Sequence, residues 1–247
     1  MKSYSTVLVG LLSAAAGAHA ALTSPGDIAF TGFNADGTDN LAFVLLVSAS
    51  PSQKIWFSDN EWNGSTFNTG ESYYSWTAPA GGVPAGTVIT LNNISSGVPS
   101  SLIGTGAGET GPGVADPGVS NADEAIYAYL ASNAVTPLTF LALIANEDAT
   151  VPYSLINTGL SEAAGTAIIF TGDEDGMRYT GPRNTQVSFP GYLTLLADKA
   201  SNWETTTTDG TVFVPMNTTV FSIVPEPGTF PLAFMPVAAM LMRRRRD

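Results

Sequence analysis

The 247-residue sequence has no cysteine and one histidine, and only 12% of its residues are charged. Basic groups are scarcer still, with 9 Lys and Arg against 21 Asp and Glu, for a net charge of −12. Without cysteine there are no disulfides, no thiolate zinc sites and no cysteine nucleophile. The lone histidine, His19, falls among the first twenty residues. Everything downstream therefore lacks the imidazole base of Ser-His-Asp and Cys-His mechanisms. It also lacks the usual ligands of zinc and copper. The acidic balance argues against a nucleic-acid partner, whose phosphates require Lys and Arg. What remains is carboxylate chemistry, tyrosine, a few Lys and Arg, and oxygen-ligand cations such as Ca²⁺.

Each end of the sequence carries a short apolar run. Lys2 followed by the Val7 to Ala16 run (VLVGLLSAAA) and Ala18-His19-Ala20 has the order of a secretory signal: positive n-region, apolar h-region, small-residue cleavage site. The expectation is a signal helix over 1–20, cleaved before Ala21. Near the other end, the apolar run from Phe230 to Met242 extends about 20 Å as a helix, short of a hydrocarbon core of about 30 Å. Arg243, Arg244, Arg245 and Arg246 follow it, and such a cluster stays on the cytoplasmic side. This part reads as a short C-terminal membrane-anchor helix, body outside and arginines inside.

Pro225-Glu226-Pro227, the apolar segment and the Arg243 to Arg246 cluster together resemble the PEP-CTERM sorting signal of Gram-negative bacteria. The resemblance covers residues 224–247. It implies an exosortase-type membrane protease as partner, a transient inner-membrane anchor, cleavage near Pro225-Glu226-Pro227, and release to the cell surface or to an exopolysaccharide matrix. It implies nothing about the activity of the body.

Setting both ends aside leaves a body over 21–223 with Lys54, Arg178, Arg183 and Lys199 as its only basic groups, against 19 acids, a net charge of −15. Its pattern is β. Strands are expected at Asp27 to Phe33, Leu41 to Ala49, Lys54 to Ser58, Tyr73 to Thr77, Gly86 to Leu91, Ala125 to Leu130 and Leu138 to Ala145. Four more are expected at Thr166 to Thr171, Met177 to Thr180, Thr211 to Val214 and Thr219 to Val224. They are short, rich in β-branched and aromatic residues, and punctuated by Gly, Pro, Asn and Asp. One short helix is expected over Tyr192 to Ser201, where Leu193, Leu196, Ala197 and Ala200 recur at helical spacing. The Gly/Ser/Pro-rich stretch 92–121 is either a long loop or a linker. The fold class expected is all-β, an antiparallel β-sandwich with long Gly/Ser/Pro loops.

The segments GDIAFTGF, IWFSDNEW and WTAPAGGVPAGTVI also resemble a module of bacterial secreted and surface proteins. The matching positions are Gly26, Asp27, Phe57, Asp59, Asn60, Trp62, Trp76, Thr77 and Gly86. It is remotely similar to the lamin-tail type of sandwich, which implies partner binding rather than chemistry.

Candidate sites are few. Asp173-Glu174-Asp175 before Gly176 clusters oxygen ligands as a Ca²⁺ site does, without the alternating spacing of an EF-hand. An acidic β-turn is the alternative. Asn34, Asp36 and Asp39 form a similar cluster, and Asp116, Asp123 and Glu124 a looser one. Trp62, beside Asp59, Asn60 and Glu61, is either a sugar-stacking platform or the plug at one end of the sandwich; large aromatics are more commonly core. Tyr74 and Trp76 share one strand face and Tyr73 takes the other. If exposed, they suit carbohydrate; if buried, they are core. A glycosidase needs only two suitably spaced carboxylates, but with 19 acids the sequence singles out no pair. The expectation is a non-enzymatic exported envelope or matrix protein without a cofactor, Ca²⁺ left open. A carbohydrate-binding module and a carboxylate-based hydrolase are the alternatives.

Overall fold

A computed structural model describes residues 21–109, 118–119, 123–146, 154–210 and 212–225. The expected signal helix, most of the sorting signal (Glu226, Pro227, the apolar run and Arg243 to Arg246) and Asp116 lie outside these residues. The described strands are β1 Ile28–Asn34, β2 Asn40–Leu45, β3 Lys54–Ser58, β4 Tyr73–Thr77, β5 Val88–Asn92 and β6 Thr105–Glu109. They continue with β7 Ala125–Ala131, β8 Pro137–Ala145, β9 Ala167–Ile169, β10 Gly176–Tyr179 and β11 Trp203–Thr206. They form a five-stranded sheet, β11-β10-β1-β2-β5, and a six-stranded sheet, β6-β4-β3-β7-β8-β9. The molecule is therefore mostly β, two sheets with few helices. Strands from either side of 92–121 share a sheet, since β3 pairs with β7.

The sheets are held face to face by aromatic side chains that the period-2 alternation delivers inward. Phe30 of β1 and Phe43 of β2 meet Phe57 of β3 at 6.3 and 5.4 Å between ring centres. Phe43 also meets Trp76 of β4 edge-on at 5.8 Å. The outer face of the second sheet has its own core. Trp62, Phe67, Tyr73, Tyr127, Tyr129 and Phe140 cluster there, where the β3–β4 connection folds across the sheet. This explains why β3 and β4 carry aromatics on both faces, Trp56 and Tyr73 outward, Phe57, Tyr74 and Trp76 inward.

Four expectations need correction. The sandwich is not wholly antiparallel, because β9 adds to β8 in parallel. The helix breaks in two, α1 Tyr192–Ala197 and α2 Lys199–Asn202, at Asp198, whose side chain accepts from Ser201 N and caps the second piece. Residues 212–214 and 219–224 form no ladder beyond a bridge at Ile223; instead Met216 and Phe221 plug gaps in the core. The missing strands are made up by β6 and β11. β6 (TGAGE) lies within 92–121, and its glycines matter: a Cβ on Gly108 would sit 1.9 Å from Gly97 O, and one on Gly106 2.6 Å from Pro99 O. Only glycine lets residues 97–99 cross so closely over a strand.

Candidate functional site: a carboxylate-lined cleft

Three inter-strand connections converge at one end of the sandwich. The β1–β2 turn brings Asp36 and Asp39, the β3–β4 connection brings Asp59 and Glu71, and the entry to β7 brings Glu124. With Gly37, Ser95, Gly118 and Val119 these line an open cleft of about 450 Å³. Its described lining contains five carboxylates and no Lys, Arg or aromatic residue.

Local hydrogen bonds fix the frame. Asp59 Oδ1 accepts from Ser72 N at 2.5 Å. Asn60 Nδ2 donates to Ser58 Oγ and to Ser72 O, both at 3.1 Å, and its Oδ1 accepts from Glu71 N at 3.3 Å. The Asp59-Asn60 pair thus laces the end of β3 to the approach of β4. Asp39 Oδ2 accepts from Val119 N at 2.9 Å. Glu124 N donates to Asn146 Oδ1 at 2.8 Å. Asp36 Oδ1 accepts from Gly37 N at 2.8 Å and Oδ2 from Gly210 N.

The electrostatics oppose ionisation. Asp59 is 2% exposed, and burial, then the Glu71 charge, holds its pKa well above the usual carboxylate range. Glu71 is pushed up to about 7 by burial and then by Glu61. One carboxylate oxygen each of Glu61 and Glu71 is buried without a hydrogen-bond partner. Tyr74 of β4 is 1% exposed and stacked on Phe57 at 5.6 Å. Its hydroxyl has no hydrogen-bond partner. Burial, then the charges of Asp59, Glu124 and Asp39, drives its pKa well up.

The other candidate residues fall elsewhere. Trp62, 6% exposed, donates from Nε1 to Ile156 O at 2.9 Å and packs edge-on to Phe140 at 5.0 Å. Trp76 is fully buried, its Nε1 donating to Ile103 O at 2.6 Å. In this conformation Trp62, Tyr74 and Trp76 present no ring face to a sugar, because both sheet faces they occupy are covered. Asp173, Glu174 and Asp175 do not act together: Asp173 is exposed, Glu174 accepts from Gly172 N, and Asp175 is buried. Asp175 instead meets Asp36 and Asp209, with one carboxylate oxygen from each within 4.8 Å of the others. Asn34 is a brace, donating to Asp36 O and Thr38 O and accepting from Val212 N. Pro225 is exposed at the end of the described residues.

The sequence reading missed Glu71 and did not join Asp39, Asp59 and Glu124. The one signal available was the position of Glu71, just before the β4 aromatic run and so close to Asp59 and Asn60 across the antiparallel β3–β4 pair. Among the described residues no helix is long and apolar enough to cross a membrane. Comparison with known proteins gave no match among family models, curated proteins or solved structures.

Proposed function

We propose that this chain is an exported, non-enzymatic protein of the cell envelope or exopolysaccharide matrix. The observation that carries the reading is the ordered triplet of Pro225-Glu226-Pro227, a short apolar run and Arg243 to Arg246, joined to a β body of net charge −15. In this reading the arginines and the short span hold the chain in the inner membrane, an exosortase-type protease cuts near Pro225-Glu226-Pro227, and the body passes outward. The exposed position of Pro225 supports access by a protease. The acidic body stays soluble and is repelled by anionic polymers unless a cation intervenes. Mass spectrometry of the protein from its native surface is the test. A C-terminus near Pro225-Glu226-Pro227 is expected; surface protein that retains Arg243 to Arg246 refutes the processing.

A second reading, a carboxylate-based hydrolase, is favoured by one observation: Asp59 and Glu71 line the same cleft. It ranks below the first because glycosidases split their two acids, one held protonated and one ionised, whereas here both are pushed up. Turnover of a polysaccharide that Asp59→Asn abolishes, in a variant that still folds, would reverse the order. The carbohydrate-binding alternative loses its platform with the burial of Trp62, Tyr74 and Trp76.

A further inference from the structure

We propose that the uncharged face from which the chain leaves the body seats on a neutral lipid surface, that of the bilayer holding the tail, through Val187, Val220, Ile223 and Val224. This rests on the anchoring reading above. Residues 212–225 form a strap pinned to the body. Arg183 Nη1 donates to Thr219 O at 2.7 Å, and Tyr192 Oη to Ser222 O at 2.6 Å. Phe221 N donates to Gly86 O at 2.8 Å, Ser222 N to Arg183 O at 2.7 Å and Val224 N to Gln186 O at 2.8 Å. The chain is therefore held in place up to Val224. Only Glu226, Pro227, Gly228 and Thr229 then separate Pro225 from Phe230, where the apolar run begins. Fully extended, Pro225 to Phe230 spans at most about 18 Å. The surface around Val224 is thus tethered at short range to whatever bilayer takes up the run.

The surface at that exit has the chemistry of a lipid contact. Val187, Val214, Val220, Ile223 and Val224 are each 41–58% exposed. Val187 follows Gln186, which bridges Ile223 in parallel and accepts from Val224 N, so these apolar residues belong to adjoining segments. Val220 joins Val88, Leu102 and Ile103, with three threonines, around a groove of about 250 Å³ that has no charged residue in its lining. Leu102 lines it while almost wholly exposed. Residues 184–197 and 212–225, which build the exit, contain no Asp, Glu, Lys or Arg, in a body with 19 acids. Clustered apolar side chains without charge are poorly served by water and well served by the boundary between headgroups and acyl chains.

The placement of charge agrees. Phe221 N bonds Gly86, Gly86 N bonds Leu45, and Leu45 pairs with Ile28 at the start of β1. The carboxylate-lined cleft lies past the other end of β1, beyond Asn34. The strand between them spans about 20 Å, more than twice the Debye length of about 8 Å at physiological salt. Seating the exit face on the bilayer therefore turns the acidic cleft away from it and screens the two from each other. Charge also selects the lipid. The exit segments offer no basic cluster to attract anionic headgroups, and the −15 body repels them, so the surface is zwitterionic. A second copy, the competing occupant, brings its own −15 charge and has no tether; the bilayer has one.

The test uses the full chain, whose lack of cysteine lets a single one be placed at will. Val187→Cys and, at the cleft end, Ser95→Cys each carry a fluorophore, and the chain is reconstituted into phosphatidylcholine vesicles that contain a nitroxide-bearing lipid as quencher. Flotation with the vesicles reads the anchor, and quenching reads the face. The chain should float, and the label at Val187→Cys should be quenched at least about threefold more than that at Ser95→Cys. Adding Val220→Asp and Val224→Asp should remove this contrast and leave flotation unchanged, with circular dichroism checking that the fold is kept. Phosphatidylglycerol vesicles should reduce the contrast; an increase overturns the choice of a neutral surface. Flotation with equal quenching at the two positions overturns the docking and leaves the anchor standing. A disulfide between unlabelled Val187→Cys chains, without lipid quenching, overturns it in favour of a second copy. Failure to float overturns the anchor, and the docking with it.

Discussion

Replacing Glu71 with Gln removes a carboxylate that the fold holds against its own preference. Burial and then Glu61 raise the Glu71 pKa from 4.5 to about 7. The folded chain therefore binds this proton more tightly than the unfolded chain. The resulting stabilisation is complete below about pH 4.5 and is lost as pH rises through about 7. Above pH 7 the ionised group burdens the native state. A pKa difference of about 2.5 corresponds to at most ~3 kcal/mol at about 1.36 kcal/mol per pKa unit. Glu71 is only half-buried, so water screens much of this, and ~1 kcal/mol is the working figure. Glu71→Gln should then stabilise the protein by ~1 kcal/mol at pH 8, a rise in Tm of about 2–4 °C for a domain of this size. At pH 5, where folded Glu71 is protonated and pH is close to the unfolded pKa of 4.5, most of this effect should be gone. Asp59, which faces Glu71, is raised in the same direction, so the parent protein should also gain stability between pH 8 and pH 5. The assay is thermal unfolding of both proteins at the two pH values. An equal shift at both, or a loss at pH 8, would refute the reasoning, because the ionised carboxylate would then have a favourable partner inside the protein.

Other expectations follow from packing. Trp62→Ala empties the outer aromatic cluster beside Phe67 and Phe140, at 5.3 and 5.0 Å; urea unfolding should show a loss of about 3–5 kcal/mol. Gly108→Ala forces a Cβ to within 1.9 Å of Gly97 O, so β6 should detach and hydrogen exchange should quicken in its partner β4. Arg183, 9% exposed, donates to Thr219 O at 2.7 Å and lies over the Phe221 ring at 4.7 Å. Arg183→Met leaves that carbonyl unpaired, should cost ~2 kcal/mol, and should make residues 217–221 a site of limited proteolysis.

The strands with the strongest patterning were legible. Lys54–Ser58 and Tyr73–Thr77 are bounded by turn residues and rich in aromatics, so their limits could be read directly. β6 and β11 were not legible, because TGAGE and WETT have little apolar alternation; each is a strand because a neighbour's edge offers it a ladder. The single helix expected over Tyr192 to Ser201 ignored Asp198, a residue that caps more readily than it continues a helix. Trp62 could be read either way until the β3–β4 connection was seen to fold over it. The cleft was invisible for a different reason. Its acids, at positions 36, 39, 59, 71 and 124, are distant in sequence and meet only because three connections end at the same rim. Asp59 and Asn60 stood out in a turn motif, but the hydrogen bonds that make them a brace run to Ser72 and Glu71, which no local pattern announces.

The most direct test of the account is fractionation of the producing cells, followed by C-terminal mapping of the chain in each fraction. The account predicts the protein in the surface or matrix fraction, ending near Pro225-Glu226-Pro227. Recovery from the cytoplasm with residues 1–20 still attached, or from the inner membrane with Arg243 to Arg246 intact, would contradict it.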